Sequence, residues 1–179
     1  VTSSTTDIEI TGGESEYTEI YLTDTASCAT AIVNGYVAFA QTDSTHATGV
    51  HNVIEFHGEV SGSGTIQLYH VGLSNQSGAD NLAFSPNLAI ADLGTSDSWL
   101  VGWSFAISGD VTANGVFNPY CGATYSGTVT VLTGGSFVAG ADQWFNGGTL
   151  TLAGGWAGIG SNSSAKWMFL QNGGTLNLN

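Results

Sequence analysis

The stretch NGGTLTLAGG at residues 146–155 returns almost unchanged as NGGTLNLN at residues 172–179. In both copies a Gly-Thr pair is followed by leucines that alternate with polar residues. This alternation predicts a short β-strand, with Leu150 and Leu152 facing a core and the threonines facing solvent. The sequence therefore repeats one small structural unit.

The motif Gly-Thr-x-x-Leu/Val recurs along the chain at related distances. It begins at Gly64, Gly127, Gly148 and Gly174, so the intervals are 63, 21 and 26 residues, and the first is three times the second. A period of about 20–30 residues is typical of solenoids, in which each coil buries its apolar face by stacking on its neighbours. We expect the glycines to form tight corners between strands.

Strand-like alternation also fills the rest of the chain, and 26 glycines together with Ser, Asn and Asp supply turns. No sustained helical periodicity is present. The sequence therefore predicts an all-β protein, a single domain over residues 1–179, built as a β-solenoid of the β-helix type. Residues 1–49 lack the repeated unit and are assigned to N-terminal strands or a cap, and residues 50–179 to a repeat-like region. The irregular spacing between 72 and 127 leaves a β-sandwich or jelly roll open.

A family resemblance supports the solenoid. The segment IEFHGEVSGSGTIQLYHVG (54–72) resembles the repeated unit of autotransporter-passenger β-helices and autotransporter-associated β-strand repeats, and the two NGGTL segments are similar to the ends of such repeats. The resemblance covers about residues 50–179, in patches. It implies a secreted or surface-displayed protein, such as an adhesin, a matrix component or a fibrous spacer, with enzymatic sites in a minority of the family.

The charge composition excludes several partners. The chain has one lysine, Lys166, no arginine and 14 acidic residues, which gives a net charge of −13. Binding to nucleic acid requires several cations that neutralise phosphates, and attraction to anionic membrane surfaces requires basic clusters. Phosphorylated and carboxylated substrates are also normally held by Arg or Lys. The sequence therefore predicts no nucleic-acid partner and no anionic membrane partner.

Three features favour an extracellular or cell-surface location. Cys28 and Cys121 are an even pair of cysteines, which predicts a disulfide, with two buried free thiols as the alternative. Asn75 and Asn162 each begin an Asn-x-Ser pattern and are candidate glycosylation sites. The sequence begins without Met, as expected of a processed or trimmed chain, and contains no apolar run of about 18 residues.

The two ends of the chain suggest assembly. A strand at the end of a solenoid presents unpaired backbone groups to another chain. We expect these open edges at residues Thr6, Asp7, Ile8, Glu9, Ile10 and at Thr175, Leu176, Asn177, Leu178. Pairing of such edges between copies would produce a homopolymeric filament or a surface matrix, and other surface proteins could also use them. The alternative is that the sequence is a piece of a longer chain.

The tryptophans suggest a second function. Trp99 and Trp103 are four residues apart on a predicted strand and would share a face, and Trp156 lies in the repeat region. Exposed indole rings can stack on neutral sugars without any cation, so these three residues are a candidate sugar platform. Burial in the core is the usual alternative for Trp.

Catalysis is the third hypothesis, and the sequence assigns no catalytic residue. Glu55 and His57 would lie on one face of a strand and are weak candidates for a metal or acid–base pair in a hydrolase or metal-dependent enzyme. The acidic segment GESEYTE (13–19) is a candidate for Ca²⁺. No other cofactor is expected.

Overall fold

The structure is a computed structural model that describes residues 8–10, 17–22, 26–41, 53–91, 97–159 and 166–179. Every regular element in these ranges is a β-strand. In chain order the strands are β1 Ile8–Ile10, β2 Tyr17–Leu22, β3 Ala26–Cys28, β4 Ala31–Val33, β5 Tyr36–Gln41, β6 Val53–Phe56, β7 Val60–Ser61, β8 Thr65–Tyr69, β9 Gly72–Asn75, β10 Leu82–Phe84, β11 Asn87–Ile90, β12 Asp97–Gly102, β13 Phe105–Ile107, β14 Val111–Ala113, β15 Val116–Pro119, β16 Ala123–Tyr125, β17 Thr128–Leu132, β18 Ser136–Ala139, β19 Gln143–Asn146, β20 Thr149–Ala153, β21 Trp156–Ile159, β22 Met168–Gln171 and β23 Thr175–Leu178.

The strands stack into three parallel sheets, each of which takes every third strand. Sheet I runs from β1 through β4 and onward to β22, sheet II from β2 through β5 to β23, and sheet III from β3 through β6 to β21. The chain is therefore a β-solenoid, and the predicted all-β solenoid fold is confirmed. The sequence assigned residues 1–49 to N-terminal strands or a cap. The strands between Ile8 and Gln41 belong to the same three sheets and form the first coils of the solenoid.

All four Gly-Thr motifs lie in sheet II, where they open β8, β17, β20 and β23. The 63-residue interval holds two further strands of the same sheet, β11 and β14. Each of these strands also directs alternate apolar residues inward. The first interval was therefore three coils long, as the ratio of the intervals suggested.

The inward residues of sheet II form a continuous apolar column along the solenoid, one residue from each coil after the first. Six of them are buried, and the seventh, Leu176, belongs to the last coil and is exposed. From the second coil to the last, the column is Val37, Ile66, Leu88, Val111, Val129, Leu150 and Leu176. Burial of this column on both sides is what holds consecutive coils together.

The motif glycines are needed because coils approach each other closely, and not because of an unusual backbone angle. None of the four has a positive φ. A Cβ on Gly64 would lie 2.1 Å from the carbonyl oxygen of Gly35, and one on Gly174 would lie 2.1 Å from that of Phe145. A side chain at these corners would push two coils apart, so glycine fixes the stacking distance.

Aromatic rings fill the core of the middle coils. Tyr125 stacks on Phe145 with ring centroids 5.0 Å apart, and both rings approach Phe137, whose edge also meets Phe117 at 5.7 Å. The hydroxyl of the buried Tyr125 donates a hydrogen bond to Oε1 of Gln143, a buried residue at the corner. Gln143 in turn donates from Nε2 to two backbone carbonyl oxygens, so this buried polar group is satisfied.

The predicted disulfide is wrong. Cys28 and Cys121 are both buried, and no disulfide joins them. Cys28 ends β3 and Cys121 follows β15, and these strands are four spacings apart in sheet III, a separation of about 19 Å. A disulfide requires Cα atoms within about 7 Å. Burial raises the pKa of Cys121 to about 12.

None of the described residues belongs to a helix with the length and apolarity that crossing a membrane requires.

Candidate functional sites

A cleft of about 460 Å³ lies on the outer face of sheet I. Its floor is made of small side chains, one of its walls is an indole ring, and its remaining lining is polar. The lining residues are Asp80, Asn81, Ser104, Gly122, Thr124, Trp144, Asn146 and Gln171. Small-molecule sites typically occupy about 300–1,000 Å³, so the cleft is large enough for a ligand.

The strand register explains the shape of the cleft. One outward column of sheet I contains Ala83, Ala106, Thr124, Trp144 and Phe169, in order along the solenoid. The three small residues leave a trough, which ends where the column changes to aromatic rings. Trp144 stacks on Phe169 with centroids 5.5 Å apart and planes 9° apart. Because Phe169 covers one face of the indole, the other face is turned toward Thr124 and the trough.

Gly122 allows the indole to lie against the sheet. A Cβ at this position would meet Cζ3 of Trp144 at 3.1 Å and Cβ of Ser104 at 3.6 Å. The opposite wall is ordered by Ser104, whose Oγ accepts a 2.8 Å hydrogen bond from the backbone N–H of Asn81. The aromatic wall and the polar wall are therefore both held in place by neighbouring groups.

A second feature is the uncovered end of the solenoid at β22 and β23. Their inward leucines are exposed: Leu170 to 48%, Leu176 to 42% and Leu178 to 72%. Leu150, which pairs with Leu176 one coil earlier, is 0% exposed. Within the described residues, no strand pairs with the outer edge of either strand.

No family model, curated protein or solved structure matches the chain.

The predicted edges lie at opposite ends of the solenoid and in different sheets. Ile8–Ile10 forms β1, the first strand of sheet I, whereas Thr175–Leu178 forms β23, the last strand of sheet II. Thr6 and Asp7 lie outside the described residues. The two predicted edges are thus not aligned with each other along one sheet.

The predicted sugar platform is wrong at one of its three positions. Trp99 is 3% exposed, because its ring lies over Gly72 and meets the edge of His70 at 5.5 Å. Trp103 follows the end of β12, where Gly102 has a φ of +84°, so strand alternation does not continue to it. Trp103 and Trp156 are exposed.

The structure brings together a polar cluster that the sequence did not predict. Nδ1 of His70 lies 2.9 Å from the backbone oxygen of Asp97 and 3.8 Å from its carboxylate. Nδ2 of Asn118 donates to the same carboxylate and lies 3.3 Å from the hydroxyl of Tyr120. Burial and then the charge of Asp97 raise the pKa of Tyr120. These residues come from three successive coils. The sequence did not predict the cluster because it did not indicate how long each of these coils is.

The weak metal pair is brought together, with Oε2 of Glu55 and Nε2 of His57 4.0 Å apart. Within the described residues, no group of three or more potential ligands includes them. Most of the candidate calcium segment 13–19 lies outside the described residues, and the side chains of its strand portion are not described.

One glycosylation candidate is wrong. Asn75 is completely buried, and its Nδ2 donates hydrogen bonds to the carbonyl oxygens of Ala79 and Ser104 at 3.1 and 2.6 Å. Its Oδ1 accepts hydrogen bonds from Ser77. A glycan on Nδ2 has no space in this fold, because the side chain holds a corner of the coil together. Asn162 lies outside the described residues.

Proposed function

We propose that the chain is an extracellular structural and adhesive solenoid that assembles end to end, with a second copy stacking on the last coil. The observation that carries the proposal is the uncovered apolar face of β22 and β23, with Leu170, Leu176 and Leu178 exposed where earlier coils are covered. Unpaired strand edges beside exposed apolar side chains favour strand addition.

The sheet order determines which strands meet at such a joint. In a head-to-tail stack, β1 of the second copy continues sheet I after β22, and β2 continues sheet II after β23. Sheet III stops one strand earlier, at β21, so sheets I and II form the joint. Repeated addition in this direction is an open heterologous contact and produces a filament.

The distribution of charge supports a second copy as the occupant. Six of the 14 acidic residues fall within residues 1–24, and that segment has no cation. No acidic residue follows Asp142, and the only lysine, Lys166, lies next to β22. Two acidic N-terminal ends would repel each other, so the distribution of charge favours head-to-tail over head-to-head contact.

The energies predict reversible assembly that depends on concentration. Full burial of a leucine contributes about 1.5–3 kcal/mol, and the three exposed leucines are already partly covered. Association costs about 4–15 kcal/mol in lost freedom of motion. Because the apolar gain reaches only the lower end of this cost, the added backbone hydrogen bonds decide the affinity.

The test is light scattering coupled to size-exclusion chromatography, with electron microscopy over a concentration series. We expect filaments with an axial repeat of roughly 38 Å per copy, from eight strand spacings of about 4.8 Å. A Leu176→Asp, Leu178→Asp double variant should remain monomeric. The matched control is Ile32→Asp, which alters an exposed outward residue of sheet I and should assemble normally.

Monomers at every concentration, or equal assembly of the double variant, would contradict the proposal. The fold of each variant is checked by its thermal unfolding, since none of these side chains is buried.

A further inference from the structure

We propose that the cleft beside Trp144 binds a short neutral oligosaccharide. This site is separate from the proposed joint between copies, and its residues differ from the tryptophans that the sequence indicated. The cleft combines an aromatic wall, a floor of small residues and a lining that is uncharged or acidic.

The indole of Trp144 is a prepared stacking surface. Phe169 fixes one of its faces at a 9° interplanar angle, and Gly122 gives it room to lie against the sheet. Its other face borders the trough beside Thr124. A sugar ring that places its apolar C–H face on the indole therefore meets a surface that needs little rearrangement, which lowers the entropic cost of binding.

The polar lining supplies hydrogen-bond partners for hydroxyl groups. Thr124 and Gln171 line the cleft, and the side chain of each has groups that donate and accept hydrogen bonds. The carboxylate of Asp80 and the amide of Asn146 lie on the same lining. Donors and acceptors at several positions around one aromatic wall match a polyhydroxylated ring.

The charge of the cleft selects against anionic ligands. Its lining contains a carboxylate and no cation. The chain has one lysine and a net charge of −13. Phosphorylated ligands and polyuronates would therefore lack a counter-charge, whereas neutral glycans need none.

The experiment is calorimetric titration of the chain with short cello-, laminari-, manno- and malto-oligosaccharides, and with an oligogalacturonate as the anionic comparison. Indole N–H signals in NMR spectra report whether the ligand reaches a tryptophan. We expect at least one neutral series to bind saturably and to shift one indole signal, and the oligogalacturonate not to bind.

Two variants test the location of the site. We expect Trp144→Ala to weaken binding about tenfold. Because this change also removes the contact with Phe169, Thr124→Trp is the second variant: it fills the trough beside an intact Trp144 and should abolish binding. Trp156→Ala, which removes an exposed indole on sheet III, is the control and should bind normally.

The proposal is overturned if no neutral oligosaccharide binds, or if the oligogalacturonate binds equally well. It is also overturned if binding survives in both Trp144→Ala and Thr124→Trp while these variants unfold at the temperature of the unaltered chain. Loss of binding in Trp156→Ala alone would assign the sugar to the outer face of sheet III instead.

Discussion

The middle coils and the last coil are built from the same kind of sequence and differ in what covers them. Leu150 and Leu176 occupy matched positions in consecutive Gly-Thr strands, and each pairs with the other across sheet II. Leu150 is 0% exposed because coils lie on both sides, whereas Leu176 is 42% exposed because only one side is covered. Local sequence therefore determines that a strand forms, and stacking determines how much that strand contributes to stability.

This difference follows from the one-dimensional construction of solenoids. Each coil contacts only its neighbours, so stability is approximately the sum of coil terms and interface terms. A coil with two interfaces should be far less tolerant of substitution than a coil with one. Substitutions in the middle coils and in the last coil test this difference.

The largest effect is expected in the aromatic core. Phe137 is completely buried against Phe117, Tyr125 and Phe145. Phe137→Ala should lower the free energy of unfolding by about 3–5 kcal/mol, because it creates a cavity between coils. Leu178→Ala, in the last coil, should change it by less than about 0.5 kcal/mol. Urea denaturation measures both, and similar losses would contradict the comparison.

A smaller effect is expected at the corner glycines, which offer a matched pair. A Cβ on Gly64 or on Gly174 would lie 2.1 Å from a carbonyl oxygen of the preceding coil. Gly64→Ala should cost about 1–3 kcal/mol, because covered coils cannot separate freely. Gly174→Ala should mainly loosen β23.

Hydrogen exchange distinguishes these two outcomes. In Gly174→Ala, faster exchange should be confined to β22 and β23, with the middle strands unchanged. If Gly174→Ala accelerated exchange throughout the chain, the last coil would be as strongly coupled as the others, against our account.

The smallest effect concerns pH and the buried thiol of Cys121. Its folded pKa of about 12 is raised above the ordinary value of 9.0, so the neutral thiol stabilises the fold fully below pH 9. That contribution is lost as the pH rises from 9 to about 12, and the loss at pH 10 is about 1 kcal/mol.

Cys121→Ala provides the control, since it removes the titrating group. Its free energy of unfolding should decline less between pH 8 and pH 10 than that of the unaltered chain. Parallel declines would mean that the thiol is not the group responsible.

Much of the fold was readable from the sequence because its signal is local. Alternation of apolar and polar residues predicted the strands, and the Gly-Thr motif predicted the coils. The strands β11 and β14 were harder to place, since their corners begin at Asn87 and Asp110 instead of Gly-Thr. Only their inward apolar residues, Leu88 and Val111, identify them as part of the apolar column of sheet II.

The sites were much less predictable, because the neighbours on an outer face depend on coil length. Paired residues in sheet II are 29 positions apart between Tyr36 and Thr65 but only 18 apart between Val111 and Val129. The number of residues between two tryptophans in the sequence therefore does not predict the distance between their side chains. Trp144 meets Phe169 through this variable register, whereas Cys28 and Cys121 are kept apart by four strand spacings.

The most direct test of the account is hydrogen exchange of the last coil measured at low and at high protein concentration. The N–H groups of Thr175 and Asn179 point to β20, so the alternation of a parallel strand directs those of Leu176 and Leu178 to the open edge. We predict that these two amides exchange rapidly in dilute protein and about tenfold more slowly when copies stack, while amides of β17 stay unchanged. Rapid exchange of Leu176 and Leu178 at every concentration would contradict the account.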